Sequence, residues 1–255
     1  LDYFMERSYD PFNTFIGVSA GACNLASHLA RQKGRNLRLY TGPMAGENFI
    51  NLKSFLKGGH YMDLDWFWDY TDIHDPLDVK AAIAGASGRE FIVVATSVLT
   101  GLPVYIHPDE TDFSDAMKAS SAVPLMYRSF IPLHGDSLTD GGISDPIPVG
   151  CAVASGATDI VVIRTRPSSY RKHRDLETLL TSLLFSGRSA LRKAIWNRPV
   201  AYNEALEMIH TPPEGVRIHE IAPPPDALTG RTTTDRKSLF HDYELGRSVA
   251  ASYLS

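Results

Sequence analysis

Residues 12–34 read FNTFIGVSAGACNLASHLARQKG, and the order of properties along them decides the fold class. An apolar run from Phe12 to Val18, interrupted at Asn13 and Thr14, predicts a strand. From about Ala20 to Gln32 the residues are small or apolar, with Leu25 and Leu29 four apart beside Ala22 and Ala26, which predicts a helix with one buried stripe. Ser19 stands between the two, flanked by Gly17 and Gly21. In such a G-x-S-x-G turn the small residues let a strained backbone pass close to its neighbours and lift the serine oxygen clear of the sheet edge. The helix start adds unpaired N–H groups and a partial positive charge beside that oxygen. Ser19 is therefore a candidate nucleophile, and an inert α/β turn is the alternative that the pentapeptide alone leaves open.

The rest of the chain extends the same alternation. Glu90 to Val98 predicts an interior strand, Pro103 to His107 a short hairpin partner, and Asp112 to Ser121 a helix ended by Pro124. Residues 130–139 form a turn-rich extended stretch, Val149 to Ser155 a small-residue helix, and Asp159 to Arg164 a further strand. Helical stretches at 175–196 and 199–210 precede a last strand, Val216 to Ile221. Residues 222–255 read as a C-terminal helical extension whose final helix is capped by Thr234 or Asp235. Apolar strands alternating with helices predict an α/β fold with a mainly parallel central sheet covered on both faces, in one domain over 1–255.

Composition narrows the classes of function. With 44% apolar and 21% charged residues the chain has the balance of a globular protein. A formal charge of −4 leaves no basic excess for a phosphate backbone, so nucleic acid is not an expected partner. The basic run from Arg166 to Arg174 reads as a solvated surface loop, with a patch for anionic ligands or lipid headgroups as the alternative. Neither an 18-residue apolar run nor a signal-peptide pattern occurs. Cys23 and Cys151 form no C-x-x-C pair, which predicts two buried free thiols and a reducing, cytoplasmic setting. No cofactor is expected, and no metal, since Asp63 and Asp65 lack the glycine and glutamate of a calcium loop. The aromatic stretch at 49–79, which includes Trp66 and Trp68, reads as a lid or substrate wall, or more plainly as an excursion packed on the core.

A serine hydroxyl needs a base. His28 lies nine residues along the predicted helix, roughly 13 Å from its start, and faces elsewhere. His134 is the histidine worth keeping. Asp140, in TDGGISDP, is the other candidate: Gly141 and Gly142 permit close approach, and an aspartate within ~3 Å accepts a proton from a serine if its setting tunes it. An ordinary Asx turn is the alternative.

The sequence resembles the patatin-like phospholipases, bacterial members in particular, over nearly the whole chain. GVSAG at 17–21 is similar to the family's nucleophile elbow, and LTDGGISDPIPV at 138–149 to the turn that carries its catalytic aspartate. ATSVLTGLPVYI at 95–106, KASSAVPLMY at 118–127 and GATDIVVIRTRP at 156–167 resemble the segments between and after them. The resemblance implies a three-layer α/β/α domain and a Ser19–Asp140 dyad without histidine. It also implies hydrolysis of phospholipid or lysophospholipid esters, with transient contact at a membrane surface.

In that family a glycine-rich loop before the elbow supplies the oxyanion donors. This chain opens on LDYFMERSYD with no such loop, leaving the Ala20 N–H as its one candidate donor. The expectation is an N-terminally truncated product with weak or no hydrolase activity, cut from a competent parent. A lipid-binding or regulatory pseudoenzyme is one alternative. A small-molecule carboxylesterase or thioesterase with His134 as base is the other.

Overall fold

Val93, Val94 and Ala95 are completely buried, and the strand that carries them is the spine of the molecule. The computed structural model describes residues 1–255, with the side chain of Glu177 set aside. Its strands are β1 (Thr14–Val18), β2 (Glu90–Ser97), β3 (Pro103–Ile106), β4 (Ile131–Leu133), β5 (Asp136–Asp140), β6 (Asp159–Ile163) and β7 (Arg217–Ile221). The helices of the first half are α1 (Asp2–Glu6), α2 (Ala20–Leu29), α3 (Arg35–Thr41), α4 (Leu52–Leu56), α5 (Leu64–His74), α6 (Val79–Gly85) and α7 (Phe113–Ser121). Those of the second half are α8 (Val149–Ala154), α9 (Leu176–Leu184), α10 (Ser189–His210) and α11 (Arg236–Tyr253).

The layers are the α/β/α arrangement expected, but the sheet is not mainly parallel. In the five-stranded sheet β1 and β2 form the parallel pair, while β2–β3, β2–β5 and β4–β5 are antiparallel. A separate two-stranded sheet pairs β6 with β7 in parallel. Alternating strands and helices do not make a parallel sheet here because β3 and the β4–β5 hairpin reverse the chain locally. A helix that follows a hairpin strand need not return the chain parallel to the strand before it. The stretch at 130–139, read as extended and turn-rich, is that second hairpin, with His134 and Gly135 at its tip in positive φ.

One feature of the register positions the candidate site. Val94 pairs with Val18 of β1 and with Tyr105 of β3. Ala95 pairs with Val104 of β3 and with Asp140 of β5. A strand has two hydrogen-bonding edges, so β3 occupies one edge of β2, and β1 and β5 share the other, end to end. β1 runs up that edge to Val94 and β5 runs down it to Ala95. Their tips meet one residue apart, about 3.3 Å along the strand.

The largest apolar cluster lies on this sheet and includes Phe15, Phe91, Val93, Phe113, Met117 and Leu138. Between 34 and 48 the chain forms α3, where Leu39 is buried against the same cluster. The helical stretches expected at 175–196 and 199–210 are divided elsewhere: α9 ends at Leu184, and the 22-residue α10 starts at Ser189 and runs through Pro199. At the far end Asp235 caps α11 by accepting from the Ser238 N–H, as the sequence suggested.

Candidate active site

Ser19 occupies the turn between β1 and α2 with φ 54° and ψ −128°. That is a left-handed conformation which costs a residue with a side chain about 1–3 kcal/mol and persists only where its surroundings impose it. Two contacts impose it here. A Cβ on Gly17 would stand 2.8 Å from Ala22 N and nearer still to Ala22 Cα, so only glycine lets the strand pass under the helix. The Ser19 N–H donates to Ser120 Oγ at 2.7 Å, and that hydroxyl donates to the Val94 carbonyl at 2.6 Å, tying the turn to β2 through a completely buried side chain of α7. The Ser19 side chain does not cap α2, and the Ala20 that opens the helix is exposed. At Gly21 a side chain would meet nothing within 4 Å, so the space there does not require glycine.

Asp140 enters from the opposite tip. Its N–H donates to the Ala122 carbonyl at 3.1 Å and its own carbonyl accepts from Thr96 Oγ1 at 2.8 Å. Gly141 and Gly142 follow in a single 3-10 turn. A Cβ on Gly141 would strike the Val94 carbonyl, and one on Gly142 would lie 2.9 Å from Asp140 Oδ1. Both glycines therefore serve close approach and not an unusual φ. Oδ1 accepts from the Gly142 N–H at 2.8 Å, whereas Oδ2 is buried without a hydrogen-bond partner.

Burial pushes the Asp140 carboxyl above the usual carboxylate range, and the nearby charge of Arg198 opposes that rise most strongly. The Ser19 hydroxyl and the Gly142 N–H oppose it further. The Ser19 hydroxyl therefore favours the charged carboxylate, while Oδ2 itself has no hydrogen-bond partner. Arg198 is held where it acts, its Nε donating to the Gly142 carbonyl at 2.7 Å.

A cavity of about 30 Å³ lies against Asp140, walled by Val123, Ile143, Thr178, Thr181, Ile195 and Arg198 among others. That volume holds a water or two and no ester. Neither Trp66 nor Trp68 lines it; both are half-buried and pack on the main core, Trp66 also lining a separate surface hollow with Tyr70 and Arg236. His134 sits at the other end of β5 from Asp140, about 14 Å of strand away. It is exposed, with Nε2 2.8 Å from Asp112 Oδ2. His28 is buried with neither ring nitrogen hydrogen-bonded, Nε2 standing 3.8 Å from Asp10 Oδ1, and burial pushes it down to about 4. Ser120 and Arg198 escaped the sequence reading. Ser120 lay in a small-residue segment with no chemistry of its own, and Arg198 is more than fifty residues from the turn it contacts.

Cys23 and Cys151 are unpaired and half-buried. Among the described residues no cluster of His, Cys, Asp and Glu could hold a metal ion, and no helix is long and apolar enough to cross a membrane.

Residues 1–153 match the family described as patatin-like phospholipase, and residues 188–255 match a domain of unknown function, DUF6363. The chain is also similar to uncharacterized protein YjjU of Escherichia coli (strain K12). The two are 34% identical over 257 residues, an alignment that covers 100% of this chain and 72% of that protein. The family match spans both the Ser19 turn and the Asp140 turn, so the chain belongs to the patatin-like phospholipase family.

Proposed function

We propose that this protein is a serine acyl hydrolase that cleaves carboxylic esters of phospholipids or lysophospholipids, with Ser19 as nucleophile and Asp140 as its partner. The observation that carries the reading is the convergence of β1 and β5 on one edge of β2, which presents a strained serine to a buried carboxylate with one unpaired oxygen. Ser19 Oγ attacks the ester carbonyl carbon while Asp140 takes its proton. The tetrahedral intermediate collapses, the alcohol leaves with the proton that Asp140 returns, and a water activated by the same carboxylate releases the fatty acid. An aspartate near its ordinary pKa of ~4 is a feeble base, and the burial that raises Asp140 makes it a better one. The Ala20 N–H at the head of α2 donates to the developing oxyanion, an interaction whose loss elsewhere costs about 3 kcal/mol.

Hydrolysis of a soluble p-nitrophenyl butyrate, together with labelling by a fluorophosphonate probe, tests this. Ser19→Ala should abolish both, and Asp140→Asn should lower turnover by about 10²–10⁴. His134→Ala should leave the rate within about twofold, since its imidazole is held by Asp112 at the far end of β5. Turnover that survives Ser19→Ala, or that vanishes with His134→Ala, would sink the dyad.

A further inference from the structure

α9, LETLLTSLL, is amphipathic the wrong way round for a helix on a globular core. Its inward stripe is Thr178, Thr181 and Ser182, all buried, at the i, i+3, i+4 spacing of one helix face. Its leucines face out: Leu176 is 68%, Leu183 60% and Leu184 65% exposed, with Leu179 and Leu180 also exposed. The apolar surface continues onto its neighbours. Trp196 and Val200 of α10 are exposed, as are Leu99 and Leu102 in the β2–β3 turn. That turn abuts the start of α10, where Gly101 lies against the Ala190 carbonyl. Five exposed leucines on one helix mark an interaction site.

Charge says what covers it. Residues 166–193 carry seven Lys or Arg and two acidic residues, in a chain whose net charge is −4. Arg174 lies over the Trp196 ring at 4.8 Å and Arg188 over the Phe130 ring at 4.6 Å, so a cation flanks each end of α9. A leucine face edged by cations matches an acyl layer edged by anionic headgroups.

We propose that α9, with the basic residues flanking it, is a docking face for an anionic phospholipid bilayer. The opposite face of the same helix lines the cavity beside Asp140 through Thr178 and Thr181, so docking sets that cavity directly behind the helix that meets the lipid surface. The purpose of docking rests on the lipid-ester reading above; the docking itself does not.

The test is flotation of the full chain with vesicles of phosphatidylcholine alone and of phosphatidylcholine mixed with phosphatidylglycerol. Turnover of the soluble butyrate ester is followed in parallel. The wild type should float with the mixed vesicles and bind neutral ones about tenfold more weakly at physiological salt. Leu180→Gln with Leu184→Gln removes two exposed side chains without emptying the core, and should lower binding at least about tenfold at unchanged circular dichroism. Arg192→Glu with Lys193→Glu, also exposed, should lower binding to the mixed vesicles by a similar factor and leave neutral vesicles unaffected. Neither pair should change ester turnover. A wild type that fails to float with anionic vesicles overturns the proposal, as does undiminished binding by both variants. A lipid-free dimer that the leucine variant dissolves overturns it too, in favour of a second copy of the chain. Flotation without turnover counts against the hydrolase reading alone, and turnover without flotation against the docking face alone.

Discussion

Ser120→Ala removes one oxygen and tests how the strained turn is held. In the wild type that oxygen accepts from the Ser19 N–H at 2.7 Å and donates to the Val94 carbonyl at 2.6 Å, at a position with no solvent exposure. Alanine fills nearly the same space, so packing changes little and the effect is that of the lost hydrogen bonds. A buried donor left without a partner costs about 1–3 kcal/mol, and the second bond adds of order 1 kcal/mol, giving about 2–4 kcal/mol in all. For a chain of this size that lowers the melting temperature by about 4–16 °C. The effect on chemistry should exceed the effect on stability. With its N–H released, Ser19 has less to hold it in positive φ, and a displacement of its oxygen by ~1 Å costs about 10²-fold in rate. Thermal unfolding by circular dichroism and the rate of fluorophosphonate labelling measure the two effects. Ser121→Ala is the control, because Ser121 Oγ only approaches Cys23 Sγ at 3.8 Å and should change either quantity little. A Ser120→Ala protein that melts within about 1 °C of wild type and labels at an undiminished rate would refute the idea that α7 pins the turn.

Gly17→Ala should cost about 3 kcal/mol or more, read by chemical denaturation, since its Cβ meets the backbone of Ala22. Gly21→Ala should instead stabilise by about 0.5–1 kcal/mol, because position 21 is open and helical. Arg198→Gln removes the charge that most strongly opposes the rise of the Asp140 carboxyl, so the acid limb of the pH–labelling profile should move to higher pH; an unmoved limb would dismiss Arg198 as a tuning residue. His28 titrates near 6.5 when unfolded and at about 4 when buried. The unfolded chain therefore binds the extra proton between those values, and stability that is full above about pH 6.5 is lost as pH falls toward 4. The loss amounts to about 3 kcal/mol, and His28→Leu should flatten that part of the curve.

The β1–turn–α2 unit was legible in the sequence because every determinant is local: an apolar run, a glycine-flanked serine and a helical stripe within 23 residues. Asp140 was legible as a candidate for the same reason, its two following glycines marking a close approach. The parallel sheet was misjudged because the direction of a strand depends on the hairpins between it and its neighbour. Prolines and glycines at 101–103 and 132–135 signalled turns without saying which strand the chain would meet next.

The sequence by itself determined which residue types stand at two sharp turns, and through them the family. The register on β2 was decided only by tertiary structure, since one edge of one strand had to receive β1 and β5 from opposite directions before Ser19 and Asp140 could approach. The same holds for α9. LETLLTSLL reads as a helix, and only the packed molecule turns its threonines to the protein and its leucines to solvent. Periodicity specifies that a helix has two faces, and what lies on either side of it decides which face is covered.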